Sequence, residues 1–253
     1  MKLDSRRDFL TKAVTAGLAA VTVPAIITSA FAESSLKKKV ELNEKDVILL
    51  QGDSITDWGR DKKQTVPNSS GALGNGYAAV VGGGLLYKYP TKALQVYNKG
   101  ISGNKVYQLA DRWNDDCLAL KPNVLSILIG VNDFWHTLTG GYKGTIDTYR
   151  KDYAALLDRT KQALPDVKLI IGEPFALKDV KAVDDKWYPT FDEYRVAAKE
   201  IAQQYNAVFI PYQSIFNKAL ELAPGSYWTT DGVHPSVAGA NLMGHAWLET
   251  IKG

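Results

Sequence analysis

Continuous apolar segments alternate with amphipathic ones along most of this chain. Five short runs, rich in valine, isoleucine and leucine and bounded by polar or turn-forming residues, predict buried strands. They span residues 47–51, 93–98, 124–129, 167–171 and 207–210. Such uninterrupted apolar runs are typical of parallel strands that are covered on both faces.

Segments with apolar positions three or four residues apart separate the strands and predict helices. They span residues 77–89, 106–120, 146–164, 190–205 and 235–251. Three consecutive glycines, Gly82 to Gly84, weaken the first helix, and a close approach between that helix and a strand would explain them. Strands that alternate with helices predict an α/β fold, in which a parallel sheet is the middle layer of an α/β/α sandwich.

Polar and glycine-rich motifs follow the first three strands. Gly52-Asp53-Ser54 follows the first strand, residues 98–104 end the second, and Gly130-Val131-Asn132-Asp133 follows the third. Because the carboxyl ends of parallel strands lie at one edge of a sheet, we expect these motifs to lie close together. A fourth motif, Asp231-Gly232-Val233-His234, precedes the last helix and can fold over the same edge.

Together the four motifs contain the groups that a nucleophilic serine requires. Ser54 needs a base within hydrogen-bond reach, and His234 is the best candidate. Asp231 can accept the imidazole N–H and fix its tautomer. The backbone N–H groups of Ser54 and Gly103 and the side-chain amide of Asn132 could stabilise an oxyanion. Each motif alone is more typical of a cap or a turn, so the catalytic interpretation depends on their joint occurrence.

The first 32 residues have the pattern of a twin-arginine signal peptide. The basic segment Ser5-Arg6-Arg7-Asp8-Phe9-Leu10 precedes an apolar stretch, and Ala30-Phe31-Ala32 fits a peptidase site. Cleavage there would leave a catalytic domain of residues 33–253 in the periplasm or outside the cell, with no stable membrane anchor. An uncleaved anchor is the alternative, since residues 13–32 could just span a bilayer.

Charge and cysteine content argue against several other functions. The whole chain has a net charge of +3, and the leader carries four basic and two acidic residues, which leaves about +1 for the rest. This balance argues against a nucleic acid partner. Cys117 is the single cysteine, so no intrachain disulfide can form. With three histidines and one cysteine, we expect neither a metal site nor a cofactor.

The four motifs resemble the sequence blocks of the SGNH/GDSL hydrolases, and the resemblance extends over residues 47–248. It implies a flavodoxin-like fold, with five parallel strands in the order 2-1-3-4-5. It also implies that Ser54 is the nucleophile, that Ser54, Gly103 and Asn132 are the oxyanion donors, and that Asp231 and His234 complete the triad.

Longer segments are similar to bacterial acetylxylan esterases of that superfamily, namely residues 71–77, 98–104, 130–135 and 231–239. Those enzymes deacetylate xylan fragments, and some form higher homo-oligomers. The resemblance therefore implies an esterase for acetylated xylan or xylo-oligosaccharides that acts through an acetyl-serine intermediate, with a homo-oligomer as a possible assembly. A lysophospholipase or thioesterase, an acyl transferase and a non-catalytic glycan-binding protein are the alternatives.

Four aromatic residues near the motifs are candidates for contacts with a sugar, because aromatic faces suit the apolar faces of sugar rings. They are Trp58, Tyr77, Trp135 and Trp228. Packing of the loops is the alternative for each. We expect His136 to be a solvated loop residue, His245 to be structural and Arg112 to anchor a loop. The absence of a long apolar segment beside Ser54 favours a short acyl group.

Overall fold

The computed structural model describes residues 22–33 and 38–252. Its sheet is formed by strands β1 Val47–Gly52, β2 Gln95–Asn98, β3 Val124–Leu128, β4 Lys168–Gly172 and β5 Val208–Ile210. All neighbouring strands pair in parallel, in the order β2-β1-β3-β4-β5. The predicted fold class and strand order are therefore confirmed.

The helices, numbered in chain order, are α1 Val23–Glu33, α2 Ser54–Asp57, α3 Ser70–Leu73, α4 Tyr77–Lys88, α5 Val106–Asp111, α6 Trp113–Asp116, α7 Val131–Thr139, α8 Ile146–Ala163, α9 Thr190–Gln204, α10 Tyr212–Ala219, α11 Gly225–Trp228 and α12 Val237–Leu248. Short 3₁₀ segments occupy Pro90–Lys92 and Leu118–Leu120. Helix α4 packs against α12, and α8 packs against α5 and α9. These two groups flank the sheet, and the central strands are buried.

Two of the three consecutive glycines of α4, Gly82 and Gly84, serve contacts between helices. A Cβ atom at Gly84 would lie 2.5 Å from Leu248 of α12, and one at Gly82 would lie 2.7 Å from Leu73 of α3. On the facing helix, a Cβ atom at Gly244 would lie 2.5 Å from Val80. The expected approach of this helix to a strand was therefore wrong, because the close neighbours are side chains of other helices.

The predicted helix over residues 106–120 is divided into α5, α6 and a 3₁₀ turn. Its first interruption is at Arg112, whose backbone leaves the helical region at φ −106° and ψ 8°. The guanidinium of Arg112 bonds groups on other elements, which an amphipathic pattern cannot show. Helices α7 and α10 also lie where the sequence pattern predicted none.

The described N-terminal segment is helix α1, which packs against α10 with Ile26, Ile27 and Ala30 buried. Lys218 of α10 forms an ion pair with Glu33 at 2.8 Å. The predicted cleavage point after Ala32 therefore lies inside this helix, whereas the twin-arginine motif lies outside the described residues. Within the described part of the chain, no helix has both the length and the apolar character to cross a bilayer.

Candidate active site

Strand β1 and helix α2 place Ser54 at the carboxyl edge of the sheet. Gly52 ends the strand so close to its neighbours that a Cβ atom there would lie 2.3 Å from the carbonyl oxygen of Leu128. Asp53 caps α2, because its Oδ1 accepts the backbone N–H of Ile55 at 3.0 Å. Ser54 is then the first residue of the helix, where backbone N–H groups have no partner within the helix.

A chain of hydrogen bonds joins the serine to the fourth motif. The hydroxyl oxygen of Ser54 lies 2.8 Å from Nε2 of His234, and Nδ1 of His234 lies 2.7 Å from Oδ2 of Asp231. The other carboxylate oxygen of Asp231 accepts the backbone N–H groups of Val233 and His234 at 2.9 and 2.8 Å. The structure thus brings together the three residues that were predicted as a triad, with both imidazole nitrogens engaged.

The pKa values of the two titratable groups shift in the directions that a general base requires. Burial alone would raise the pKa of Asp231, but hydrogen bonds from the ring and backbone of His234 outweigh it and lower this pKa to about 2. Burial would lower the pKa of His234, but the bonded Asp231 carboxylate raises it above its ordinary value. Asp231 therefore stays ionised and stabilises the imidazolium that forms when Ser54 loses its proton.

Two of the predicted oxyanion donors, Gly103 and Asn132, follow the neighbouring strands β2 and β3. Gly103 has a φ of +81°, which glycine adopts without the strain that a side chain would cause. Asn132 is buried in the first turn of α7, and its Nδ2 donates to the backbone carbonyl of Asn104 at 3.2 Å. An amide group carries two N–H donors, so one remains for a substrate.

Arg112 holds the loop between β2 and α5 against the end of β1. It donates to Oε1 of Gln51 at 3.0 Å, to the backbone carbonyl of Lys99 at 2.8 Å and to Oδ1 of Asn104 at 2.9 Å. Its ion pair with Asp116 is 2.8 Å long. The side chain therefore anchors a loop, as the sequence predicted.

Two charged residues that the sequence analysis did not single out also fix this loop. Oδ2 of Asp57 accepts the backbone N–H of Ser102 at 3.0 Å and its hydroxyl at 2.8 Å. Arg60 donates to the carbonyl of Gly100 at 2.7 Å. The only available sign in the sequence was that Asp57 lies three residues after Ser54. The partners of Asp57 and Arg60 follow β2, whereas Asp57 and Arg60 themselves follow β1.

The four aromatic candidates fall into two groups. The ring of Trp58 stacks on His234 with centroids 5.5 Å apart, and the ring of Trp135 lies 6.2 Å from His234. Both are half-buried beside the base. Tyr77, by contrast, is buried with its hydroxyl 3.0 Å from Oγ1 of Thr56.

Trp228 is also buried, and its indole N–H donates to the carbonyls of Ala219 and Ala223 at 3.0 and 3.1 Å. Burial and internal hydrogen bonds give Tyr77 and Trp228 packing roles, so the geometry does not support a sugar contact for either. Trp58 and Trp135 remain the candidates for a substrate wall.

Two carboxyl groups of the motifs, those of Asp53 and Asp133, are buried. Burial raises the pKa of Asp53 and that of Asp133 to about 7, and the charge of Asp53 adds to the shift at Asp133. One oxygen of each carboxyl has no partner among the described residues, whereas Oδ1 of Asp133 accepts the N–H of Val106 at 3.2 Å. No group of three or more acidic, histidine or cysteine side chains suited to a metal ion occurs in the described ranges.

Comparison with known families agrees with this geometry. The model of the GDSL-like Lipase/Acylhydrolase family matches residues 50–242. The chain belongs to this family. It is accordingly a carboxylic ester hydrolase, and the four motifs at the edge of the sheet all lie within the matched range.

Similar proteins agree with this assignment. An acetylxylan esterase of Geobacillus stearothermophilus is 37% identical over 214 residues, which are 84% of this chain and 96% of that protein. A GDSL-like lipase-family protein of Parabacteroides merdae has a structure with a TM-score of 0.83 and 51% identity, covering 84% of this chain and 98% of its own. A variant of the Geobacillus acetyl-xylooligosaccharide esterase Axe2 has a TM-score of 0.75 and 34% identity, covering 85% of this chain and 100% of its own.

Proposed function

We propose that this chain is a serine esterase that hydrolyses O-acetyl esters of acetylated xylan or xylo-oligosaccharides. The observation that carries the proposal is the hydrogen-bonded series Ser54–His234–Asp231, with links of 2.8 and 2.7 Å, in a chain 37% identical to an acetylxylan esterase. Catalytic mutants of that Geobacillus enzyme replace a serine, an aspartate and a histidine by alanine. The same three residue types meet here.

In the first half of the reaction, His234 takes the proton of the Ser54 hydroxyl while the serine oxygen attacks the acetyl carbonyl carbon. The tetrahedral oxyanion accepts hydrogen bonds from the N–H groups of Ser54 and Gly103 and from the amide of Asn132. When the bond to the sugar oxygen breaks, His234 returns the proton to that oxygen. The deacetylated sugar leaves, and an acetyl ester of Ser54 remains.

In the second half, a water molecule gives a proton to His234 and attacks the acetyl-serine. The oxyanion forms again on the same donors, and its collapse breaks the bond to Ser54. His234 then protonates the serine oxygen, and acetate is released. Asp231 keeps the imidazole oriented and stabilises its charged form in both halves.

The decisive experiment compares the wild type with Ser54→Ala on a panel of acetylated xylan, pectin and sialic acid, with released acetate as the readout. The wild type should release acetate fastest from xylan, and Ser54→Ala should release none above background while its circular dichroism is unchanged. Full activity in the variant would exclude the serine mechanism. A wild type that binds the xylan without releasing acetate would indicate a glycan-binding protein instead.

Acyl-chain length tests the runner-up hypothesis of a lysophospholipase or thioesterase. Trp58 and Trp135 stand within 5.5 and 6.2 Å of the ring of His234, which favours a small acyl group beside Ser54. Rates on p-nitrophenyl esters should therefore fall steeply beyond short chains. Equal or rising rates with octanoyl and longer esters would favour the lipid or thioester substrates.

A further inference from the structure

His136 stands beside Gly103, next to the proposed oxyanion donors. A Cβ atom built on Gly103 would lie 4.0 Å from Cε1 of His136, so the imidazole forms the wall on that side of the glycine. His136 follows Asn132 by four positions in α7, and residues with this spacing share one face of a helix. His136 is half-buried, so part of the residue remains accessible to solvent.

Lys105 determines which nitrogen of this ring carries the proton. Its ammonium lies 3.0 Å from Nδ1 of His136. An ammonium group has three donors and no acceptor, so Nδ1 must accept the hydrogen bond. Burial, and then the charge of Lys105, lower the pKa of His136, so the ring is neutral at pH 7. A neutral ring that accepts at Nδ1 carries its proton on Nε2.

The surroundings of Lys105 hold it in this position. The side chain is buried, and its ammonium lies 5.7 Å from the ring centroid of Tyr107 and 5.2 Å from that of Tyr142. These two rings stack on each other with centroids 5.9 Å apart. Attraction to both aromatic faces helps to hold the ammonium beside Nδ1 of His136.

We propose that His136 is a substrate-binding residue, which donates its Nε2–H to an oxygen of the sugar beside the acetyl ester, and that Lys105 is the positioning residue that fixes this tautomer. The inference rests on the proposed function. The only hydrogen-bond acceptor of an acetyl group is its carbonyl oxygen, which the oxyanion donors bind. A further donor at this wall must therefore contact the sugar, which is the alcohol part of the ester. A xylose unit provides neutral hydroxyl and ether oxygens there.

The test compares an acetylated xylo-oligosaccharide with p-nitrophenyl acetate, which has no sugar oxygen. His136→Ala should raise KM for the sugar substrate. Its kcat/KM should fall about 3- to 10-fold further on this substrate than on the aryl ester, because this is the contribution of one neutral hydrogen bond. Lys105→Met should act in the same direction. His136→Gln places an amide N–H in a similar position and should recover part of the loss. His245→Gln, exposed on α12, is the matched control and should behave as the wild type.

Nitrogen-15 spectra of histidine-labelled protein give an independent readout of the tautomer. The signal that His136→Gln removes should show Nε2 protonated and Nδ1 unprotonated at pH 7, and Lys105→Met should shift this signal toward a mixture. A proton on Nδ1 in the wild type would overturn the inference. Equal losses on both substrates in His136→Ala would overturn it too, since they would make His136 a general contributor to the oxyanion site.

An absence of any kinetic change in His136→Ala would likewise exclude the sugar contact. Failure of the proposed function is distinguishable from these results. In that case the wild type would hydrolyse p-nitrophenyl acetate but release no acetate from the sugar, and the sugar contact would be overturned with it. The nitrogen-15 spectra would still decide whether Lys105 sets the tautomer of His136.

Discussion

At the scale of single residues, Asn132 combines a structural contact with a proposed catalytic one. One N–H of its amide donates to the carbonyl of Asn104 at 3.2 Å, which connects α7 to the loop that carries Gly103. The second N–H is directed by the first, because the amide group is planar. A donor held in this way needs no reorganisation when the oxyanion forms, which is the condition for strong stabilisation of a transition state.

We therefore expect Asn132→Ala to lower kcat for p-nitrophenyl acetate by about 100- to 1,000-fold, with a much smaller effect on KM. Steady-state kinetics measures both constants, and thermal unfolding monitors the fold. Asn241→Ala removes an exposed asparagine from α12 and serves as the control. A loss in KM alone would contradict the oxyanion role, since it would place the amide in ground-state binding.

The buried carboxyl group of Asp53, next to Ser54 in the chain, makes the stability of the protein depend on pH. Burial raises its pKa from 3.8 to about 7, although the N–H of Ile55 and the charge of His234 oppose this. The unfolded chain releases the same proton near pH 4. Between these values the folded state binds more protons than the unfolded state, so stability decreases as the pH rises through this window. Above pH 7 the full cost of the buried charge is present.

Asp53→Asn has no charge to bury and keeps an oxygen that can accept from Ile55. Its free energy of unfolding, relative to the wild type, should increase by a few kcal/mol between pH 4 and pH 8. Urea denaturation at a series of pH values measures this difference. The exposed Asp111, changed to Asn, serves as the control for loss of a surface carboxylate. A difference at Asp53 that does not vary with pH would show that the pKa of Asp53 is ordinary in the folded state.

At the scale of elements, the sequence located strongly patterned segments to within a residue or two. The predicted helices 146–164 and 190–205 correspond to Ile146–Ala163 and Thr190–Gln204. Helix α7 was missed because it is short and starts directly after Gly130, whose φ of +129° belongs to the turn that ends β3. The division of the helix at Arg112 depends on partners up to 61 positions away, which no local pattern contains.

The contact between α4 and α12 gives a test of how glycine supports packing. Gly244 of α12 lies where a Cβ atom would come within 2.5 Å of both Cβ and Cγ1 of Val80. A β-branched side chain cannot turn away easily, so Gly244→Ala should destabilise the protein by about 1–3 kcal/mol. Gly83→Ala, in α4, meets nothing within 4 Å and should stabilise it by about 1 kcal/mol through helix propensity.

Chemical denaturation of the two variants measures both effects with the same substitution in the same pair of helices. Opposite signs would establish that contact distance decides the outcome. A stabilising Gly244→Ala would contradict the close packing of α12 on α4. Ester hydrolysis should change little in Gly83→Ala, because the added Cβ atom meets nothing within 4 Å.

At the scale of the whole molecule, the candidate site could be predicted because parallel strands bring their carboxyl ends to one edge. Ser54, Gly103 and Asn132 follow three different strands, and topology alone places them together. Topology does not say which aromatic side chains turn inward, and so Tyr77 and Trp228 were assigned to the substrate although both are buried. Nor could it show that His136, predicted as a solvated loop residue, lies half-buried in α7 and pairs with Lys105.

We propose that the twin-arginine route exports the chain to the periplasm or beyond. That route transports folded proteins, and a chain with one cysteine needs no oxidising compartment to complete its fold. Cleavage after Ala32 would remove nearly all of α1 and uncover the part of α10 that Ile26, Ile27 and Ala30 cover.

The joint substitution Arg6→Lys and Arg7→Lys keeps the positive charge of the leader but removes both guanidinium groups, which lysine cannot replace in specific recognition. In a bacterial host, the wild type should yield p-nitrophenyl acetate hydrolysis in the periplasmic fraction, with a new N-terminus at Glu33 by mass spectrometry. The double variant should retain equal total activity, all of it in the cytoplasm and with an intact leader, because folding precedes transport. Lys2→Gln should be exported normally. Export of the double variant at the wild-type level would exclude the twin-arginine route, and an exported wild type that keeps residues 23–32 would show that α1 belongs to the mature enzyme.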